Sequence, residues 1–169
     1  MGLREFFLWQ LEHEVATSRK VIERVPEGHN SWKPHKRSME LGYLSALVAS
    51  MPGWVEFMVN RREMNLSDPE NEVLKTKPVN TRAELCQMLA EGLARSRKAL
   101  EETTEEDLTK MWRFRMNGMV ISEGPRYAMI SDGAMSHLAH HRGQLTVYLR
   151  LLGEKVPALF GPSADEAFD

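Results

Sequence analysis

The constraint that dominates this sequence is a hydrophobic pattern of helical period, repeated four times along the chain. Leu3, Phe7, Leu11, Val15, Ser18, Ile22 and Val25 form one stripe and predict a first helix over residues 3–25. A second stripe, Leu41, Leu44, Leu47 or Val48, Met51, Val55 and Met58, runs through "MELGYLSALVASMPGWVEFMVNR", with Ser38 placed to cap it. Pro52 falls inside that helix and predicts a kink, because proline removes a backbone donor and crowds the preceding turn. "TRAE" at Thr81–Glu84 has capping-box spacing and opens a third helix to about Leu100. Pro125 suits the first turn of a fourth, whose inward stripe is Ile130, Ala134, Leu138, His141, Leu145, Tyr148 and Leu152. Four long amphipathic helices predict an all-α fold, a four-helix bundle.

The connections are longer than the minimum. "PEGHNSWKPHKRS" breaks the first helix with Pro26, Gly28 and Pro34. Residues 65–79 are polar and proline-containing and read as a linking loop. Thr104–Lys110 allows a short helical turn. Asn117-Gly118 within residues 111–124 allows a small β-ribbon between helices three and four. The tail "EKVPALFGPSADEAFD" is expected to lie extended on the surface. No repeat or composition break divides the chain, so residues 1–169 are expected to form a single domain.

Charge and composition exclude several classes. The 22 Lys and Arg nearly balance 24 Asp and Glu, for a net charge of -2, which gives no reason to expect nucleic acid as a partner. No apolar run approaches the roughly 20 residues a membrane-spanning helix needs, so no membrane association is expected. Arg4, Glu5 and Glu12 interrupt what would be a signal-peptide core, and Phe6 stands where a myristoylation motif needs Ser or Thr. The one cysteine, Cys86, excludes an intrachain disulfide and suits a reducing compartment. A cytoplasmic location is the expectation.

The chemistry concentrates in "SHLAHHRGQLTVYLRLLG", residues 136–153, where His137, His140 and His141 fall within five positions. His137 and His141 are one helical turn apart, so they share a face and are able to chelate one cation. His140 is rotated by about 100° from His141 and faces elsewhere. Neutral imidazole suits zinc, nickel or copper. Two histidines are half of a tetrahedral zinc shell, however, and the same pair serves equally as hydrogen-bonded core imidazoles. Leu138 after His137 rules out the H-E-x-x-H zinc-protease motif. No histidine has Glu three residues before it, so the E-x-x-H element of di-iron bundles is missing.

"HLAHHRGQLTVYLRLLGEKVPALFGPSADE" resembles the C-terminal signature of the DinB/YfiT-like superfamily of bacterial four-helix proteins. "SWKPHKRSMELGYLSALVASMPGW" is similar to that family's second-helix region. The H-x-x-x-H followed by R-G-Q-L, with the distal G-P-S-A-D-E, carries the resemblance over most of the chain. It implies a four-helix bundle, paired as a homodimer, in which three histidines hold a divalent metal: one from the second helix, two from the fourth. The fourth-helix pair carries over onto His137 and His141. The second-helix position, before V-A in "GYLSALVASMPGW", holds Leu47, which offers no lone pair and makes the pocket drier. His13, His29 and His35 are the other histidines that could replace the missing ligand. The resemblance thus implies an altered or incomplete site for zinc or nickel.

Arg142 and Gln144 flank His141 and are candidate polar groups of a pocket, able to fix an imidazole tautomer or bind a carboxylate. Gly143 costs the helix about 1 kcal/mol relative to Ala, which predicts close approach by another helix or by the tail. Cys86, the 11 methionines and the four tryptophans read as core or surface rather than as a site. Three functions remain open: a metal-free bundle binding a small-molecule ligand, a divalent-metal-dependent thiol transferase or hydrolase using His137 and His141, and a non-catalytic homodimeric structural or interaction protein.

Overall fold

The computed structural model describes residues 1–68, 71 and 76–167. These form a mostly helical body with a small three-stranded sheet. The first helix, α1 (Leu3–Ile22), buries Phe7, Leu11, Val15 and Ile22 from the predicted stripe. Its first backbone N–H groups, which no intrahelical partner can satisfy, are taken from afar. The Glu105 carboxylate accepts from Leu3 and Arg4 at 2.9 and 3.0 Å. The helix stops three residues before the expected Val25. Arg24 and Val25 instead donate to carbonyls three residues back, and Pro26 biases Val25 away from the helical region.

The second predicted helix is divided. α2 (Leu41–Ser50) is followed by a 3-10 turn at Met51–Gly53 and by α3 (Trp54–Asn60). Its start is not at Ser38, because loop carbonyls do the capping: Leu41 donates to Trp32 O at 2.8 Å and Gly42 to Asn30 O at 3.0 Å. The expected kink falls at Pro52 and has a specific partner. In an unbroken helix the Glu56 N–H would donate to the Pro52 carbonyl. Here the Ser96 hydroxyl is inserted between them, accepting from Glu56 N at 2.9 Å and donating to Pro52 O at 2.6 Å.

Ser96 belongs to α4 (Arg82–Glu102), which opens with the predicted capping box: the Thr81 hydroxyl accepts from Glu84 N, and the Glu84 carboxylate from Thr81 N. The 3-10 turn rests directly on α4, where a Cβ added to Gly92 would come within 3.0 Å of the Gly53 nitrogen. α4 is also the helix on which α1, α2 and α3 all pack.

A short helix, α5 (Glu105–Thr109), precedes the predicted ribbon. β1 (Glu63–Asn65), β2 (Met111–Met116) and β3 (Met119–Pro125) stand in the order β1-β2-β3. β2 and β3 are antiparallel across Asn117 and Gly118, whose φ values of 51° and 78° are those a two-residue hairpin with right-handed strand twist requires. β1 was not anticipated and overlaps the expected loop. It pairs with β2 in parallel, as a long crossover through α4 allows, and its partner lies some fifty residues away.

The fourth predicted helix has three parts: α6 (Arg126–Ile130), a π-helical segment (Ser131–Ser136) and α7 (His137–Leu151). The predicted stripe is buried from Ile130 to Tyr148. Gly143 corrects the expectation placed on it, because a Cβ there would meet nothing within 4 Å. The close glycine contact lies at Gly53 and Gly92 instead. None of the described helices is long and apolar enough to cross a membrane.

Two substitutions separate these positions. Ser96→Ala leaves the Glu56 N–H and the Pro52 carbonyl buried without a partner and is expected to lower stability by about 2 kcal/mol. Gly143→Ala, at an open helical position, is expected to raise it by up to about 1 kcal/mol. Urea denaturation of both variants against the parent measures the two effects.

Candidate functional site

α7 begins where the π-helical segment ends, and its first residue is His137. One turn later His141 is buried, at 8% exposure. The two imidazoles converge, Nε2 to Nε2, at 2.9 Å. Two nitrogens each about 2.1 Å from one metal would stand about 3.4 Å apart in a tetrahedral zinc site and about 3.0 Å apart at right angles, so the pair is near the spacing of two ligands of one ion but closer than tetrahedral zinc sets them.

Gln144 sets the protonation pattern of the dyad. Its Oε1 lies 2.8 Å from His141 Nδ1, and its Nε2 lies 3.0 Å from His140 Nε2. The amide oxygen can only accept, so His141 carries its proton on Nδ1 and keeps a lone pair on Nε2. That lone pair accepts from His137 Nε2–H, which leaves His137 Nδ1 as an acceptor. His140, which faces solvent, joins the chain only through Gln144. Burial holds His141 below its ordinary value of 6.5. The Gln144 bond works against that shift, and charge on His137 or His140 adds to it.

The dyad faces a cleft of about 590 Å³ lined by Met39, Tyr43, Leu47, Trp54, Leu66 and Thr76 as well as the two histidines. Leu47 is buried at 7% and shares this cleft, where the resemblance places the third ligand. An isobutyl group thus replaces a lone pair, and the donor set does not fit a three-histidine metal. Among the described residues no three His, Cys, Asp or Glu side chains gather to hold an ion. The remaining histidines lie elsewhere. His13 stacks on Trp9 at 5.7 Å, His29 Nδ1 sits 3.0 Å from the Glu27 carbonyl, and His35 Nδ1 accepts from Arg37 N.

Arg142 turns away from the cleft, which corrects its reading as a pocket group. It is 1% exposed, and its Nη1 donates to Glu14 Oε2 at 2.5 Å and to Ser18 Oγ at 3.2 Å, joining α7 to α1. Breaking such a buried pair from one side costs about 3–5 kcal/mol, so its role is architectural. Gln144 is not among the residues lining the cleft either, and meets it only through its bond to His141 Nδ1.

The sequence reading missed Trp54, whose indole packs edge-on against His137 at 5.7 Å, and Tyr43, one turn before Leu47. Tyr43 was legible as the i−4 neighbour of Leu47. Trp54 was not, since its aim depends on the break at Pro52.

A model of the DinB family matches residues 3–167, and the chain belongs to that family. No curated protein matches it. Among solved structures it is similar to a DinB-like protein from Bacillus subtilis, at 19% identity and a TM-score of 0.65, covering 89% of this chain and 94% of that one. It is also similar to a DinB-like protein from Bacillus cereus, at 19% identity and a TM-score of 0.67, covering 91% and 95%. At that identity the likeness is one of fold.

The lowered pKa has a definite sign in stability. Well above pH 6.5 His141 is neutral whether folded or unfolded, and contributes no pH dependence. Below it the unfolded chain takes up a proton first, so stability falls with pH until the folded-state pKa is passed. NMR titration of the imidazole is expected to place His141 below 6.5 in the parent. Gln144→Leu should move it lower still, because the amide bond favours the protonated ring. A value at or above the ordinary one would contradict the burial argument.

Proposed function

We propose that this protein is a small-ligand-binding member of the DinB family whose ancestral metal site is incomplete. Its four helical rods (α1; α2 with α3; α4; α6 through α7) constitute the family's four-helix bundle, and it acts as a homodimer in the cytoplasm. The observation that carries the reading is Leu47 facing the His137–His141 dyad. The cleft keeps two convergent imidazoles while the opposite wall is hydrocarbon and aromatic carbon. A mostly apolar concavity with a few converging polar groups is what a small-molecule site needs. In it the dyad is a neutral hydrogen-bonding element, held in one tautomer by Gln144, and Trp54 and Leu47 exclude water around it.

The second reading, a thiol transferase or hydrolase dependent on zinc or nickel, is favoured by one observation, the 2.9 Å separation of the Nε2 atoms. A metal bound there would supply Lewis-acid chemistry. His137 would first have to move its proton from Nε2 to Nδ1, and one of the usual three protein ligands would still be lacking.

Elemental analysis of untagged protein separates the two. The parent is expected to hold well under one zinc or nickel per chain after dialysis, while Leu47→His, which restores a third imidazole, should retain about one. About one metal per chain in the parent, lost in the His137→Ala, His141→Ala double variant, would overturn the ligand-binding reading in favour of the enzyme. A thermal-shift screen of small neutral and anionic compounds tests the ligand side. A ligand at a hundred times its Kd adds about 2.7 kcal/mol. A screen in which no compound raises Tm would remove this function.

A further inference from the structure

Behind the cleft, on the other side of Trp54 and His137, lies a second and more enclosed space of about 240 Å³. Both residues line the two spaces, as does Leu66. The walls are mostly aromatic rings and thioethers, among them Trp54, Phe57, Met58, Trp112 and Phe114, and Ser122 adds a hydroxyl. It is the sheet that creates this chamber, since β2 brings Trp112 and Phe114 over α3 and the π-helical segment. We propose that this chamber binds the ring of a small uncharged phenol, whose hydroxyl donates to Nδ1 of His137. The proposal rests on the ligand-binding reading and names the ligand's class.

Three features select that class. Size comes first: a cavity of about 150 Å³ suffices to hold benzene, so this one takes a single ring with a hydroxyl and a short substituent. Chemistry comes second. Sulfur against aromatic edges and aromatic faces against one another favour a ring over an alkyl chain. Polarity is third. No Lys or Arg is among the described residues lining either space, so among them a carboxylate or phosphate would find no counter-charge to offset its desolvation. The His141–Gln144 chain leaves His137 Nδ1 an acceptor, which calls for a ligand that donates. Trp112 adds a further polar request: its Nε1–H is buried with no partner among the described residues. A polar substituent on the ring that reached it would relieve part of the cost of that unpaired donor.

The test compares p-cresol with its methyl ether, which has the same ring but no donor, by quenching of the fluorescence of Trp54 and Trp112. The parent is expected to bind the phenol about tenfold more tightly than the ether. His137→Ala should bring the two within about twofold by weakening the phenol alone. Gly133→Met should abolish both, because a Cβ at Gly133 meets only Met58 Cε, at 3.7 Å, so the added side chain enters the chamber without a backbone clash. Equal binding of phenol and ether by the parent, or no binding of either at millimolar concentration, overturns the proposal. So does unchanged phenol binding by Gly133→Met. If other neutral compounds still raise the Tm of Gly133→Met, the cleft reading stands and the chamber proposal alone fails.

Discussion

A single serine hydroxyl, that of Ser96, sits in the gap that Pro52 opens in the second rod, and the geometry of the site depends on it. Proline denies the helix one donor and crowds its neighbours. The break exposes a carbonyl and an N–H inside the core, where each would cost about 1–3 kcal/mol unpaired. Ser96 satisfies both at once, at 2.6 and 2.9 Å. Gly53 and Gly92 let the two backbones meet closely enough for that bridge. The redirected helix then carries Trp54 against His137 and Phe57 and Met58 beneath the sheet. Without the break, the wall between cleft and chamber would not be assembled from these residues.

The opposite wall is set by α7, and there the forces compete. His141 is buried, which favours its neutral form, while Gln144 holds its Nδ1 proton and favours the charged one. Burial is the larger effect, so the imidazole pair is a hydrogen-bonding unit with a defined direction: donor at one end, acceptor at the other. Leu47 deepens the effect, because hydrocarbon beside the dyad offers no ligand and no water-like partner. The same side chain that offers no lone pair to a metal leaves the cleft wall beside the dyad apolar.

Other polar groups of the core serve architecture. Arg142 and Glu14 are sealed between α1 and α7, and Arg126 donates to the carbonyls of Asp107 and Arg61, holding the ends of α5 and α3 where α6 begins. Burial lowers the pKa of Arg126, an expense met by these two carbonyl bonds and the charge of Asp107. The C-terminal tail is fastened in the same manner, by Asp165 to Arg150 and Glu166 to Arg24.

Features that depend only on neighbours along the chain were readable before any packing was known. The helical stripes, the Thr81 capping box, the Asn117-Gly118 hairpin turn, the interruption at Pro52 and the shared face of His137 and His141 all follow from local spacing and local backbone preference. Leu47's place on an inward stripe was legible for the same reason. Features that need a partner far along the chain appear only in the packed molecule. β1 exists because β2 offers it an edge, α2 starts at Leu41 because Trp32 and Asn30 present carbonyls, and Arg142 points to α1 because Glu14 is there. Gly143 shows the limit most plainly: its cost in a helix is a local quantity, but whether anything approaches it is a property of the packed molecule, and nothing among the described residues does. The chamber belongs to this second class. It is bounded by α3, the sheet, α6, the π-helical segment and the start of α7, elements whose meeting no local pattern encodes.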